Sequence, residues 1–135
     1  MRSLENQACA TRDTRPVDNL IDLDAAARQI AQRRGEWHRL GITAGETTWR
    51  DQADVWPHRI VTDRAAVVDA DSIGVALAKG SQEGSVVLFT GGWADFFYWN
   101  GEADGPVTDE APGWGDPLDL AKFGQLLDRL TKLLA

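Results

Sequence analysis

Cysteine and histidine are scarce in this chain: one Cys, Cys9, and two His, His38 and His58, among 135 residues. A lone thiol closes no internal disulfide, and without a second Cys there is no thiolate metal site. The two histidines are not spaced as a His-x-x-x-His pair, so zinc, which needs about four clustered ligands, is not expected. Long hydrophobic runs are missing too, none approaching the ~20 residues of a membrane span. The segment Met1 to Pro16 is polar and has no apolar core of the kind a secretory signal carries. Basic residues are the minority, 14 Lys and Arg against 21 Asp and Glu, for a net charge of −7. Phosphate backbones and anionic lipids are held by Lys and Arg, so neither nucleic acid nor a membrane surface is the expected partner. The expectation is a soluble cytoplasmic protein with no cofactor and no metal.

What the chain does contain is apolar and aromatic. Hydrophobic residues make up 43% and Trp occurs six times, enough for a packed core in a chain of single-domain length. Residues 1–16 lack periodicity and mix Arg2, Glu5, Arg12, Asp13 and Arg15. They are expected to be a disordered polar arm, and residues 17–135 one α+β domain. From about Asp18 to Leu40 the spacing is helical, with Leu20, Leu23, Ala27, Ile30, Trp37 and Leu40 on one face. Asp18 or Asp22 can cap that helix and Gly41 can end it, while Gly35 is a point where it could bend or stop.

Strand signals follow. Thr47-Thr48-Trp49 and Arg59-Ile60-Val61 read as short strands around a Trp56-Pro57 pair that marks an edge. Ile73, Val75 and Leu77 alternate with Gly74, Ala76 and Ala78, and residues 80–84 read as a hairpin loop. Ser85 to Thr90 is a strand, Gly91-Gly92 a tight turn, and Trp93 to Trp99 another strand, together an antiparallel meander. That last strand is apolar on both faces, so it is expected to be central or covered on both sides, with Trp93 and Trp99 in the core. The chain closes on Asp116-Pro117-Leu118-Asp119, a helix start with Asp116 as cap, followed by the stripe Leu120, Phe123, Leu127, Leu130 and Leu134, widened by Leu126 and Leu133. The predicted fold is an α+β domain: an antiparallel sheet of four to five strands, with the N- and C-terminal amphipathic helices on one face.

No pattern spells out catalysis. Two isolated histidines are more often surface or boundary residues, no nucleophile elbow is present, and the glycine pairs fit no phosphate-binding loop. Asp104, Asp109 and Glu110 lack the spacing of a calcium loop. What stands out is the stretch after Trp99, which carries Glu102, Asp104, Asp109, Glu110 and Asp116 with no Lys or Arg. An acidic loop on an aromatic strand pair is suited to a basic protein surface. Trp114, in Pro112-Gly113-Trp114-Gly115, is expected to pack as a lid over the sheet edge. Its alternative role is an exposed interface anchor, where Trp is enriched. The candidate partner-binding residues are therefore Glu102, Asp104, Asp109, Glu110, Trp114 and Asp116.

In the helix Leu23–Leu40, the segment Val86–Trp99 with its Gly91-Gly92-Trp93-Ala94-Asp95 turn, and the helix Leu118–Leu134, the chain resembles the immunity proteins that bacteria make against polymorphic toxins, the TriTu-like group among them. The resemblance covers about half of the chain and is one of architecture. It implies a non-enzymatic protein that binds a cognate toxin domain, often a nuclease with a basic cleft, and blocks it. Two other readings stay open: a small enzyme or ligand-binding domain with a pocket between sheet and helices, and a secretion chaperone or adaptor.

Overall fold

The computed structural model describes residues 21–135. The polar arm expected at residues 1–16, Cys9 within it, and the alternative cap Asp18 lie outside them. The first helix, α1, spans Leu23–Arg39, and Asp22 caps it by accepting hydrogen bonds from the N–H groups of Asp24 (3.0 Å) and Ala25 (3.2 Å). Its end is closed by two backbone bonds. Gly41 N–H donates to His38 O and Ile42 N–H to Trp37 O, with Gly41 in the left-handed region at φ 75°. That pairing is a Schellman motif, and the apolar contact it calls for is supplied by Ile42 and Trp37, both buried. The helix runs unbroken through Gly35.

Seven strands follow, all antiparallel. They are β1 Thr43–Ala44, β2 Thr48–Asp51, β3 Ile60–Val61, β4 Ala70–Lys79, β5 Gln82–Phe89, β6 Trp93–Trp99 and β7 Val107–Glu110, before the closing helix α2, Leu120–Leu134. The order across the sheet is β3-β2-β4-β5-β6-β7, with β1 pairing β4 beside β2. The sheet is thus larger than the four to five strands expected. Two strands account for this: β1, only two residues long, and β7, which forms inside the stretch read as an acidic loop.

Two turns differ from or agree with expectation for simple reasons. Lys79 pairs with Gln82, so the β4–β5 loop is only Gly80-Ser81, with Gly80 at φ 60°. Gln82 to Gly84 belong to β5. Phe89 pairs with Trp93 around Thr90-Gly91-Gly92, and Gly92 at φ 95° closes that turn as expected.

Both helices lie on one face of the sheet. There Trp49, Ile73, Val75, Leu77, Val86, Leu88, Ala94 and Phe96 meet Ile30 and Trp37 of α1 and Phe123, Leu127, Leu130 and Leu134 of α2 in one core. Leu126 is buried with them, whereas Leu133 faces solvent. Gly84 marks the closest approach of α2 to the sheet: a Cβ there would stand 2.5 Å from a Leu130 methyl. Between the helices, Trp37 Nε1 donates to Thr131 Oγ1 (2.7 Å), and the Thr131 hydroxyl donates to Leu127 O (2.7 Å).

The start of α2 departs from expectation. Asp119, not Asp116, is the cap and accepts from Lys122 N–H (2.8 Å). Leu118 N–H is engaged by Gly92 O (2.7 Å), which ties residues 116–118 to the β5–β6 turn and delays the helix.

Candidate docking surface

The face of the sheet away from the helices has no second layer among the described residues. Cross-strand partners share a face, so the register assigns it directly. One row runs Ile60, Arg50, Ser72, Phe89, Trp93; another runs Ala76, Ser85, Phe97, Asp109; a third runs Thr43, Ala78, Glu83, Trp99, Val107. On β6 the alternation is sharp. Ala94 and Phe96 are fully buried toward the helices, while Trp93, Phe97 and Trp99 are half-exposed and Asp95 is exposed. The expectation that Trp93 and Trp99 belong to the core is therefore corrected: β6 is interior to the sheet but covered on one face only.

The first row is built as a ladder. The Arg50 guanidinium is held by Asp71, with Nε donating at 2.7 Å, and lies 5.4 Å from the Phe89 ring centre. Phe89 stacks on Trp93 (4.1 Å between centroids, 11° between planes), and Trp93 meets Trp114 at a right angle (5.2 Å). Trp114 is 75% exposed, so it projects into solvent and does not form the lid expected of it. Its turn is braced: Ala94 N–H donates to Pro112 O (2.9 Å), and Gly113 and Gly115 on either side hold φ 91° and 95°. A side chain on Gly113 would collide with Gly92 O and the Trp93 Cα.

The acidic candidates separate into two groups. Glu102 and Asp104 are exposed on the loop between β6 and β7, where Trp99 Nε1 donates to Glu102 O (2.9 Å) and Gly105 N–H donates to the same oxygen (2.8 Å). Asp109 sits on the open face opposite Phe97, and Asp116 is exposed beside Trp114. Glu110 is opposite Phe96, on the helix side. It takes two hydrogen bonds from Arg129 (2.8 and 2.9 Å), whose guanidinium lies 4.4 Å from the Phe96 ring centre. Those bonds hold the Glu110 carboxyl below its ordinary value. Glu110 thus ties β7 to α2.

A second apolar surface was not among the sequence candidates. In the connection from β2 to β3, Val55 and Trp56 are exposed, as is Val68 nearby. The Asp51 carboxylate braces this region by accepting from the N–H groups of Val68 (2.8 Å), Ala53 (2.9 Å) and Asp69 (3.0 Å), and these bonds lower its pKa. Asp54 is likewise lowered by hydrogen bonds from Arg59. His58 stacks edge-on with Trp56 (5.3 Å) and its Nδ1 makes no hydrogen bond among the described residues; His38 is exposed near the end of α1. Among the described residues, no three His, Cys, Asp or Glu side chains are placed to hold a metal ion. Also among them, no helix is long and apolar enough to cross a membrane.

The open face was missed because it depends on where the helices pack. A signal was present: the alternate positions of β4 are small (Ser72, Gly74, Ala76, Ala78) while those of β6 are Trp and Phe. Compared with known proteins, the chain matches no family model, no curated protein and no solved structure.

Proposed function

We propose that this chain is a neutralising binding protein of the cytoplasm, an immunity protein that docks its open sheet face on a basic surface of a toxin domain and occludes it. The observation that carries the reading is the one-sided layering of the fold. It leaves Phe89, Trp93, Phe97 and Trp99 half-exposed on a rigid sheet, with Glu83, Asp95 and Asp109 among or beside them. Glu102, Asp104 and Asp116 extend the negative charge past the edge, and no Lys or Arg occurs between Lys79 and Lys122. Aromatic side chains on a pre-formed support supply contact area with little loss of entropy, and the carboxylates steer a cationic partner.

The area is adequate. Six strand positions at ~4.8 Å spacing and about six residues at ~3.3 Å each give roughly 570 Å² before side-chain relief, a large part of the ~800 Å² per partner of a standard interface.

The test is a growth-rescue assay. Proteins captured from the source cell are expressed as toxin domains alongside this chain. Wild type should rescue growth, and alanine at both Phe97 and Trp99 should abolish rescue while the fold is retained by circular dichroism. Rescue that survives the double alanine variant removes the open face as the docking surface. A captured partner that belongs to a secretion apparatus, with no toxicity to rescue, would favour the adaptor reading instead.

A further inference from the structure

On the open face a hollow of about 500 Å³ lies where β1, β4, β5 and β6 run side by side. Its floor is Ala76, Ala78 and Ser85, its low wall Thr43, its high wall Phe97, and Glu83 stands at one end. The register explains it: small residues occupy both rows where they cross β4, and Phe97 and Trp99 rise where the same rows cross β6. Glu83 is exposed, and Asp109 follows Phe97 in its row. Neither takes part in an ion pair among the described residues. Of two cations on the surrounding elements, one lies across the sheet and the other is engaged at the rim, on the lining residue Gly45. Lys79 is on the helix side of β4 against Gly41, and Arg34 reaches Gly45 from α1, its N–H groups donating to Gly45 O (2.9 Å) and Thr47 Oγ1 (3.0 Å).

An apolar floor, an aromatic wall and a carboxylate at the end complement a side chain that is aliphatic along its stem and cationic at its tip. We propose that this hollow seats an arginine of the partner protein: the stem lies on Ala76 and Ala78, the guanidinium plane against Phe97, and its N–H groups donate to Glu83. Arginine fits better than lysine because a planar fork can stack on a ring and bind a carboxylate at once. A second copy of this chain is the poorer occupant, since it would bring carboxylates against carboxylates. The inference rests on the open face being the docking surface.

The test uses the full chain and two peptides, acetyl-Gly-Leu-Arg-Leu-Gly-amide and its citrulline counterpart, a neutral isostere, followed by proton–nitrogen correlation spectra. Shifts should gather at the amides of Ala76, Ala78, Glu83 and Ser85, and the arginine peptide should bind at least about threefold more tightly, as one added charge-assisted contact allows. Glu83→Gln should erase that ratio, and Ala76→Leu, which fills the floor, should remove binding of both peptides. Both residues are exposed, so neither variant disturbs the core. Equal affinities, shifts confined to the helices, or concentration-dependent dimers in sedimentation would overturn the proposal. If Ala76→Leu loses the peptide yet still rescues growth, the hollow is not the seat of the partner while the inhibition reading stands. If wild type selects the arginine peptide but rescues nothing, the hollow stands and the inhibition reading falls.

Discussion

Thr131→Val isolates the one side-chain hydrogen bond that joins the two helices inside the core. Trp37 is fully buried, Thr131 is nearly so, and the indole N–H has the Thr131 hydroxyl as its partner at 2.7 Å. Valine keeps the shape of threonine and removes the acceptor, so the cost is that of an orphaned buried donor, about 1–3 kcal/mol. For a domain of this size that is a fall in Tm of about 4–12 °C. In the W37F background no donor remains, and T131V should cost less than about 0.5 kcal/mol, so the double-mutant cycle gives the bond's coupling energy directly. Urea unfolding followed by circular dichroism supplies all four free energies. A T131V cost that is the same in both backgrounds would refute the reasoning, because the loss would then come from packing alone.

Four further outcomes are expected. Gly84→Ala should cost about 1–3 kcal/mol by overpacking against Leu130 and the Phe97 carbonyl, and part of that loss should return in combination with Leu130→Val; a neutral Gly84→Ala in urea unfolding would mean that α2 sits higher over β5. Gly113→Ala should destabilise more than Gly115→Ala, since both impose left-handed strain but only Gly113 abuts backbone, and comparative thermal melts decide it. The pKa values of Asp24, Asp51, Asp54 and Glu110 are lowered in the folded chain, so their contribution to stability is complete above the ordinary values of 3.8 and 4.5 and disappears as pH falls through the lowered ones. The stability gap between wild type and Asp51→Asn should accordingly be widest near neutral pH and narrow as pH falls below 3.8 in urea titrations. Finally, Glu102→Gln, Asp104→Asn and Asp109→Asn together should slow association with a basic partner several-fold at low salt, whereas Glu110→Gln should leave the rate unchanged and lower stability; stopped-flow rates that respond to Glu110 instead would reverse the assignment.

Much of the framework can be read from local chemistry. Asp22, the three-four spacing of Leu23 to Leu40 and Gly41 define α1 without help from the rest of the chain. The leucine stripe of α2 and the glycine turn after Phe89 are equally self-contained. What was misread depends on distant partners. Asp116 resembles a cap as closely as Asp119 does, and only the hydrogen bond from Leu118 to Gly92 O decides between them. Val107-Thr108-Asp109-Glu110 has too many carboxylates to look like a strand, yet β6 supplies an edge for it to pair with and Arg129 neutralises Glu110. On β6 both alternating sets are aromatic, so the pattern alone does not say which one the helices bury. Of the candidate site, the acidic residues were visible as a run, whereas Phe89, Phe97 and the hollow beside them exist only once strands far apart in sequence are laid side by side.

The placement of both helices on a single side has a consequence for how this protein can change over generations. Along β6, mutations at even-numbered positions strike the interior and are heavily penalised, but those at 93, 95, 97 and 99 reach only solvent and neighbours on the same surface. The fold therefore keeps its foundation and its substitution-tolerant surface on opposite sides of one sheet, and the open side can be rewritten while the foundation stays untouched.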